Sequence, residues 1–303
     1  MSAPSGGLSR VLVTGAGGQL ARALCASAPG ASEVVALSEM ELDVGDGPAV
    51  DELVRSRKPE LVFNAAAFTA VDAAESAPEQ ADRVNRLGAL NLAESCARHG
   101  ARLVHVSTDY VFDGLGGAPY GPDASTSPQS VYGRTKRDGE RAVLSHPGAL
   151  VVRTAWLYAA NGRNFVRTML GLMSTRDEVR VVDDQIGSPT AADGLAQALW
   201  QLARLRAVGM HHWTDAGVAS WYDFAVAIRE EAASLGWDKV ARARIIPIPS
   251  REFPTPATRP AVAVLSKEHT WRLLGACAEH WRISLRRTLA QMQPGPADRW
   301  RST

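Results

Sequence analysis

The stretch Val11-Leu-Val-Thr-Gly-Ala-Gly-Gly-Gln-Leu-Ala21 constrains the chain more than any other. Apolar, β-type residues run into a glycine-rich turn, and a helical pattern starts at Gln19. A strand that enters a helix through so tight a turn opens a βαβ unit, and such units commit a chain to a parallel sheet covered by helices. The first half repeats the alternation. Strands are expected at Arg10–Thr14, Glu33–Leu37, Leu61–Asn64, Arg102–Val106 and Ala149–Thr154. Helices are expected near Gln19–Ser27, Pro48–Arg55, Gln80–Arg98 and Val131–Leu144. The strand segments are short, nearly continuous apolar runs, as in sheets buried on both faces.

After Trp156 the alternation is less regular. Asn164–Met173, Ala191–Leu205 and Trp221–Leu235 carry helical spacing, while Ile245–Pro260 holds five prolines and reads as an extended surface connection. The segment from Ser266 reads as helical, with a polar tail. The expected fold class is α/β, a Rossmann-type doubly wound parallel sheet with a smaller C-terminal lobe. Residues 1–156 would form the sheet domain and 157–303 mainly the second lobe, with some segments returning to the first.

Charge excludes one class of partner. Thirty-three basic residues face 32 acidic ones, a net charge of +1, so no basic surface for nucleic acid is expected. Cys25, Cys96 and Cys277 are far apart and match no metal-ligand spacing, and no apolar run is long enough to span a bilayer. A cytoplasmic protein with reduced thiols, no membrane contact and no metal is the expectation.

Glycines at a strand-to-helix turn let backbone approach a pyrophosphate, and the helix N-terminus offers free N–H groups and partial positive charge. Gly15 and Gly18 fit that role, and Ala21 permits close packing of helix on strand. The second strand ends in Ser38-Glu39, so the choice between NADH and NADPH stays open. Asp43 sits either near an adenine or at a helix cap. Asn64-Ala-Ala-Ala67 supplies small residues that suit either a flat cofactor crossing the strand tips or a plain tight βα turn. Asn85 either braces the fourth-strand backbone or faces solvent.

Tyr132 and Lys136 are four residues apart on an expected helix and project from one face. An isolated phenol has a pKa of ~10, and a neighbouring ammonium draws it toward the working range of an acid–base group. The same ammonium can hold ribose hydroxyls. Ser107-Thr108 follows the expected fourth strand, where catalytic side chains of doubly wound folds collect; its hydroxyls could also simply cap the next turn. His211 and His212 are strand neighbours pointing opposite ways, which suits structural roles.

These residues resemble the extended short-chain dehydrogenase/reductase superfamily and, within it, the dTDP-4-dehydrorhamnose reductase family. The resemblance runs from Val11 to about Leu289. It is carried by Asn64–Asp72, Ser107-Thr-Asp-Tyr-Val-Phe-Asp-Gly114, Tyr132-Gly-Arg-Thr-Lys136, Arg153–Tyr158, Asp183–Thr190 and Arg259-Pro260. It implies NADPH or NADH as cofactor and dTDP-4-dehydro-β-L-rhamnose as substrate, reduced at its C4 ketone. It further implies Tyr132 as proton donor, Lys136 as ribose anchor and Thr108 as a hydrogen-bond donor to the ketone. Gly15, Gly18, Gln19, Leu20, Asp43, Val44, Ala66, Ala67, Phe68, Thr69 and Val106 would line the cofactor groove. Asp109, Trp156, Asn164, Gln185 and Arg259 would meet the sugar nucleotide. The resemblance allows a homodimer. Two departures are visible. Ala261-Val-Ala-Val264 stands where the family often has polar residues, and Ala21-Arg-Ala23 lacks the carboxylate through which some members hold magnesium between subunits. The competing expectations are another dTDP-4-keto-6-deoxysugar C4 reductase and a non-catalytic, cofactor-binding regulatory subunit.

Overall fold

The computed structural model describes residues 8–292. The five apolar runs form β1 (Arg10–Thr14), β2 (Glu33–Leu37), β3 (Leu61–Asn64), β4 (Arg102–Thr108) and β5 (Leu150–Thr154). Between them lie α1 (Gln19–Ala26), α2 (Gly47–Arg57), α3 (Val71–Ser76), α4 (Pro78–Asp82), α5 (Gly88–His99) and α6 (Val131–Leu144). The second half adds β6 (Leu157–Tyr158), α7 (Phe165–Thr175), β7 (Glu178–Val182), β8 (Ile186–Gly187), β9 (Thr190–Ala191) and α8 (Ala192–Arg204). It continues with β10 (Gly209–His212), β11 (Ala219–Ser220), α9 (Trp221–Ser234), α10 (Asp238–Arg242), β12 (Arg244–Ile248), α11 (Glu268–Leu274) and α12 (Trp281–Gln291).

The main sheet has the order β10-β5-β4-β3-β1-β2, and every pairing in it is parallel. The chain goes out from β1 to β2 and then returns past β1 to β3. In doubly wound sheets the strand tips at such a reversal are the crevice where ligands bind. One sheet face packs Val11, Val13 and Phe63 on Leu195, Leu199 and Trp200 of α8; the other packs Leu12, Val62 and Val151 on Val50, Leu92 and Val143. A separate core joins Tyr158, Leu170, Val181, Phe224, Ile228 and Leu285 in the second lobe.

Four expectations change. β4 extends two residues beyond Val106, because Ser107 and Thr108 pair with Arg153 and Thr154 of β5; they close the strand instead of following it. The helix expected over Gln80–Arg98 is divided by a π-helical turn at Arg83–Leu87. One extra residue per turn there buries Asn85 completely. The start of Ile245–Pro260 belongs to a strand, Arg244–Ile248, paired with β7. Pro247 is tolerated there because this sheet has only two strands, so each has a free edge. The segment from Ser266 makes two helices, α11 ending at Gly275 in the left-handed region (φ 66°). Most of the expected polar tail lies outside the described residues. The sixth strand, β10, had no signal beyond four residues containing His211 and His212.

Candidate active site

The cofactor turn is built on one close backbone approach. Gly15 has φ +76°, and a Cβ there would sit 3.0 Å from Ala65 O and from Ala66 N and Cα. Glycine alone lets the β1 turn lie against the β3 turn. Ala16 N–H donates to Leu37 O at 3.0 Å, tying the same turn to β2. Gly18 is the N-cap of α1 and offers no capping side chain, so the first N–H groups of the helix have no intrahelical acceptor. Leu20 is buried in the core. Gln19 spans the two lobes: its Nε2 donates to Arg163 O (3.2 Å) and its Oε1 accepts from Asn164 Nδ2 (2.7 Å).

At the β2 side, Glu41 accepts from Ser38 N (2.8 Å) and Ser38 Oγ (2.7 Å). Asp43 is exposed and accepts from Gly45 N, which with the paired Arg83 guanidinium holds its carboxyl below the usual range. The local sequence has no arginine near this strand end; the π-helical turn delivers Arg83 from forty residues away. Val44 is buried beside Gly88. After β3, Ala66 N donates to Thr14 Oγ1 (3.2 Å). Phe68 N donates to Asn85 Oδ1 (2.9 Å), and Asn85 Nδ2 donates to Thr135 Oγ1 (3.0 Å). Asn85 thus braces the 67–69 segment against α6, neither the β4 backbone nor solvent. Ala67 is half-buried and Thr69 exposed at the crevice rim.

Ser130 caps α6 by accepting from Gly133 N (3.1 Å), while Glu75 Oε1 accepts from Val131 N (2.7 Å). A Cβ on Gly133 would fall 2.2 Å from Tyr110 O. That closeness lets Tyr132 lie edge-on against Tyr110, with centroids 5.5 Å apart. Thr108 lies near the Tyr132 phenol; its own Oγ1 donates to Asp109 Oδ1 (3.0 Å) and accepts from Tyr110 N (3.2 Å). Burial pushes the Tyr132 phenol up to about 12, with the Thr108 hydroxyl opposing. The expected drop caused by Lys136 is therefore not the state seen here, because Lys136 Nζ points to Val106 O (2.7 Å) and toward His105 Nε2 (3.4 Å). Burial also pulls the Lys136 ammonium down to about 8, with Glu140 opposing.

Asp109 is buried, and burial pushes its carboxyl up to about 7. Among the described residues its Oδ2 has no hydrogen-bond partner, nor have the buried Ser107 Oγ and Thr154 Oγ1 at the tips of β4 and β5. Unpaired polar atoms of this kind are costly inside a protein. They fit polar groups of a bound ligand, and with the Gly15–Gly18 turn they fit a dinucleotide laid across the tips.

The residues assigned to the sugar nucleotide divide. Trp156 has φ 48°, strained for a non-glycine residue, and stacks on Trp221 with centroids 3.4 Å apart. Asn164 caps α7 by accepting from Arg167 N (3.0 Å), so both ends of its amide are engaged. Gln185 Nε2 donates to Ser250 Oγ (2.9 Å) within the second lobe. Arg259 makes a two-pronged pair with Asp72 (3.1 and 2.8 Å), joining the second lobe to the segment after β3. Sequence reasoning missed His105, which is buried between Asn64 and Lys136.

A parallel sheet with this turn after β1 and Thr108, Tyr132 and Lys136 around one crevice defines an NAD(P)H-dependent oxidoreductase of the extended short-chain dehydrogenase/reductase type. The family model described as the RmlD substrate binding domain matches residues 9–294. The chain is 42% identical over 287 residues to the dTDP-4-dehydrorhamnose reductase of Burkholderia thailandensis, covering 91% of this chain and 96% of that one. It is 43% identical over 280 residues to the dTDP-4-keto-6-deoxy-D-glucose reductase of Streptomyces niveus, covering 91% and 95%. The crystal structure of dTDP-4-dehydrorhamnose reductase from Bacillus anthracis in complex with NADP superposes with a TM-score of 0.88 at 33% identity, covering 93% of this chain and 99% of that one. The chain belongs to the dTDP-4-dehydrorhamnose reductase family.

Proposed function

We propose that the chain reduces the C4 ketone of dTDP-4-dehydro-β-L-rhamnose to the alcohol of dTDP-β-L-rhamnose, using NADPH or NADH. The observation that carries the reading is the grouping of Thr108, Tyr132 and the unpaired Asp109 Oδ2 at the tips of β4 and α6. When bound, the reduced nicotinamide supplies a hydride to C4. Tyr132 supplies the balancing proton to the C4 oxygen. Its pKa of about 12 keeps it protonated at neutral pH, the form that reduction consumes. Thr108, turning its hydroxyl hydrogen away from Asp109 Oδ1, donates to the same oxygen and orients it. Asp109 Oδ2 accepts from a sugar hydroxyl, and Trp156 walls the deoxysugar. Lys136 holds ribose hydroxyls, and the Gly15–Leu20 turn, Asp43, Val44, Ala66–Thr69 and Val106 line the groove. Arg259 reaches the diphosphate by exchanging Asp72 for it; Asn164 and Gln185 shape the pocket from the second lobe.

Residues 1–156 form the cofactor lobe in this proposal and 157–303 mainly the substrate lobe, with α8, β10 and α11 returning to the first. A cytoplasmic setting accords with the absence, among the described residues, of any helix long and apolar enough to cross a membrane. Homodimerisation is included on the family resemblance alone, and light scattering tests it.

The test is to incubate the protein with enzymatically made dTDP-4-dehydro-β-L-rhamnose and NADPH or NADH, follow loss of reduced-nicotinamide absorbance, and identify the product. Formation of dTDP-β-L-rhamnose is expected. The Streptomyces niveus relative favours a second reading, a C4 reductase for another dTDP-4-keto-6-deoxysugar. Turnover of dTDP-4-keto-6-deoxy-D-glucose without turnover of the rhamnose precursor would establish that reading instead.

A further inference from the structure

A row of buried polar groups crosses the sheet beneath the crevice and ends on Lys136. Ala66 N donates to Thr14 Oγ1 (3.2 Å), Thr14 Oγ1 donates to Asn64 Oδ1 (2.8 Å), and Asn64 Nδ2 faces His105 Nδ1 (2.9 Å). Thr14 Oγ1 accepts from Ala66 N–H and gives its own hydrogen to Asn64 Oδ1. The Asn64 NH2 group then faces His105, so Nδ1 of the imidazole must accept. A neutral ring accepting at Nδ1 carries its proton on Nε2, which lies 3.4 Å from Lys136 Nζ. Burial and the Lys136 charge hold His105 in the neutral form.

We propose that His105 is a positioning residue whose Nε2–H, set by the Thr14–Asn64 hydrogen-bond direction, is aimed at Lys136 and favours its neutral amine. As an amine, Lys136 accepts from His105 and donates to Val106 O. As an ammonium it keeps Val106 O and meets a donor at its other side. Lys136 is then a group that releases its proton readily, and its proton affinity is set three residues away at Thr14. The inference rests on the reading of Lys136 as the partner of Tyr132.

The other charged groups around Lys136 do not account for such an effect. On α6, Glu140 favours the charged form but is bound by Arg153 of β5 at 2.8 and 2.7 Å. β3 carries no titratable side chain. On α5, burial pushes the Cys96 thiol up to about 12, so it stays neutral. Asp109 and Tyr110 follow β4 and bear on Tyr132.

Nitrogen-15 NMR of the imidazoles, with seven histidines in the chain, reads the His105 tautomer in the unliganded protein. The Nε2–H form is expected, and an Nδ1–H form would overturn the proposal. The chain has only four lysines, Lys58, Lys136, Lys239 and Lys267, so Lys136 can be titrated directly by its 13Cε signal. Asn64→Asp places an acceptor on Nδ1, moves the ring proton there and leaves the Nε2 lone pair to receive the ammonium. The Lys136 midpoint should rise by a pH unit or more, a tenfold gain in proton affinity. His105→Gln removes the Nε2–H and should raise it as well; in the double variant Asn64→Asp should add less than it does alone. Unmoved midpoints in both single variants would overturn the proposal. All these readouts are independent of turnover, so an inactive enzyme on the proposed substrate would not be mistaken for failure here.

Discussion

Replacing Lys136 by methionine should stabilise the protein at neutral pH while disabling it. Methionine fills a similar volume without a charge, so the comparison isolates what the ammonium costs. The gap between the ordinary value of 10.5 and about 8 in the folded chain, at ~1.4 kcal/mol per pH unit, amounts to about 3 kcal/mol. Between these values the unfolded chain carries a proton that the native state does not, so wild-type stability rises with pH across that window. Below about pH 8 the wild type bears the full penalty. The variant loses the hydrogen bond to Val106 O (2.7 Å), a cost of ~1 kcal/mol that does not vary with pH. Urea unfolding should therefore find the variant more stable by about 2 kcal/mol at pH 7 and less stable by about 1 kcal/mol at pH 10.5. Titrating groups out of contact with Lys136 are common to both proteins and cancel in the difference. A stability difference that stays constant between those pH values would refute the argument. NADPH affinity and turnover should both fall in the same variant. A lysine that weakens the fold and is needed for cofactor and chemistry is the signature of a functional site.

Tyr132→Phe should lower turnover by ~10²-fold or more, the usual share of a general acid, with NADPH affinity by fluorescence titration changed less than twofold; near-native turnover would remove Tyr132 as proton donor. Gly15→Ala forces an L side chain to φ +76° against Ala66, at ~1–2 kcal/mol for the backbone alone, and should weaken NADPH binding about tenfold; unchanged binding would mean that the turn does not hold the cofactor. Asp109→Asn should be more stable than the wild type at pH 8 and lose that advantage near pH 4. The native carboxyl at about 7 binds a proton that the unfolded chain releases near its ordinary value, so wild-type stability falls as pH rises through that interval. An advantage persisting at pH 4 in thermal unfolding would place the cause elsewhere.

What could be read from the chain divides along a physical line. β1, β2 and β3 have the expected bounds because each is a closed apolar run ended by a turn. α6 has them because Ser130 caps it and its apolar spacing is regular. Thr108, Tyr132 and Lys136 were visible because their geometry is local: a strand end, and one helical turn. Features that depend on pairing between distant segments were not. β10 is four residues with two histidines, and it is a strand because β5 offers an unpaired edge. Arg244–Ile248 contains a proline and is a strand because β7 lies beside it. Arg83 reaches Asp43 only because a π-helical turn rotates it there. The same distinction explains why His105 escaped notice. Along Leu103–Val106 it is one polar residue in an apolar run, which reads as incidental. Across the sheet, register places Thr14 beside Asn64 and Asn64 beside His105, so three unremarkable polar residues at one depth become a connected row. A signal was present: β1 and β3 end in a hydrogen-bonding side chain, Thr14 and Asn64, and β4 carries His105 between the apolar Val104 and Val106. Strands buried on both faces have no reason to place polar groups at matching depth unless those groups meet. The row leads to Lys136, so under the role proposed for Lys136 the chemistry would depend on the register of the sheet beneath it.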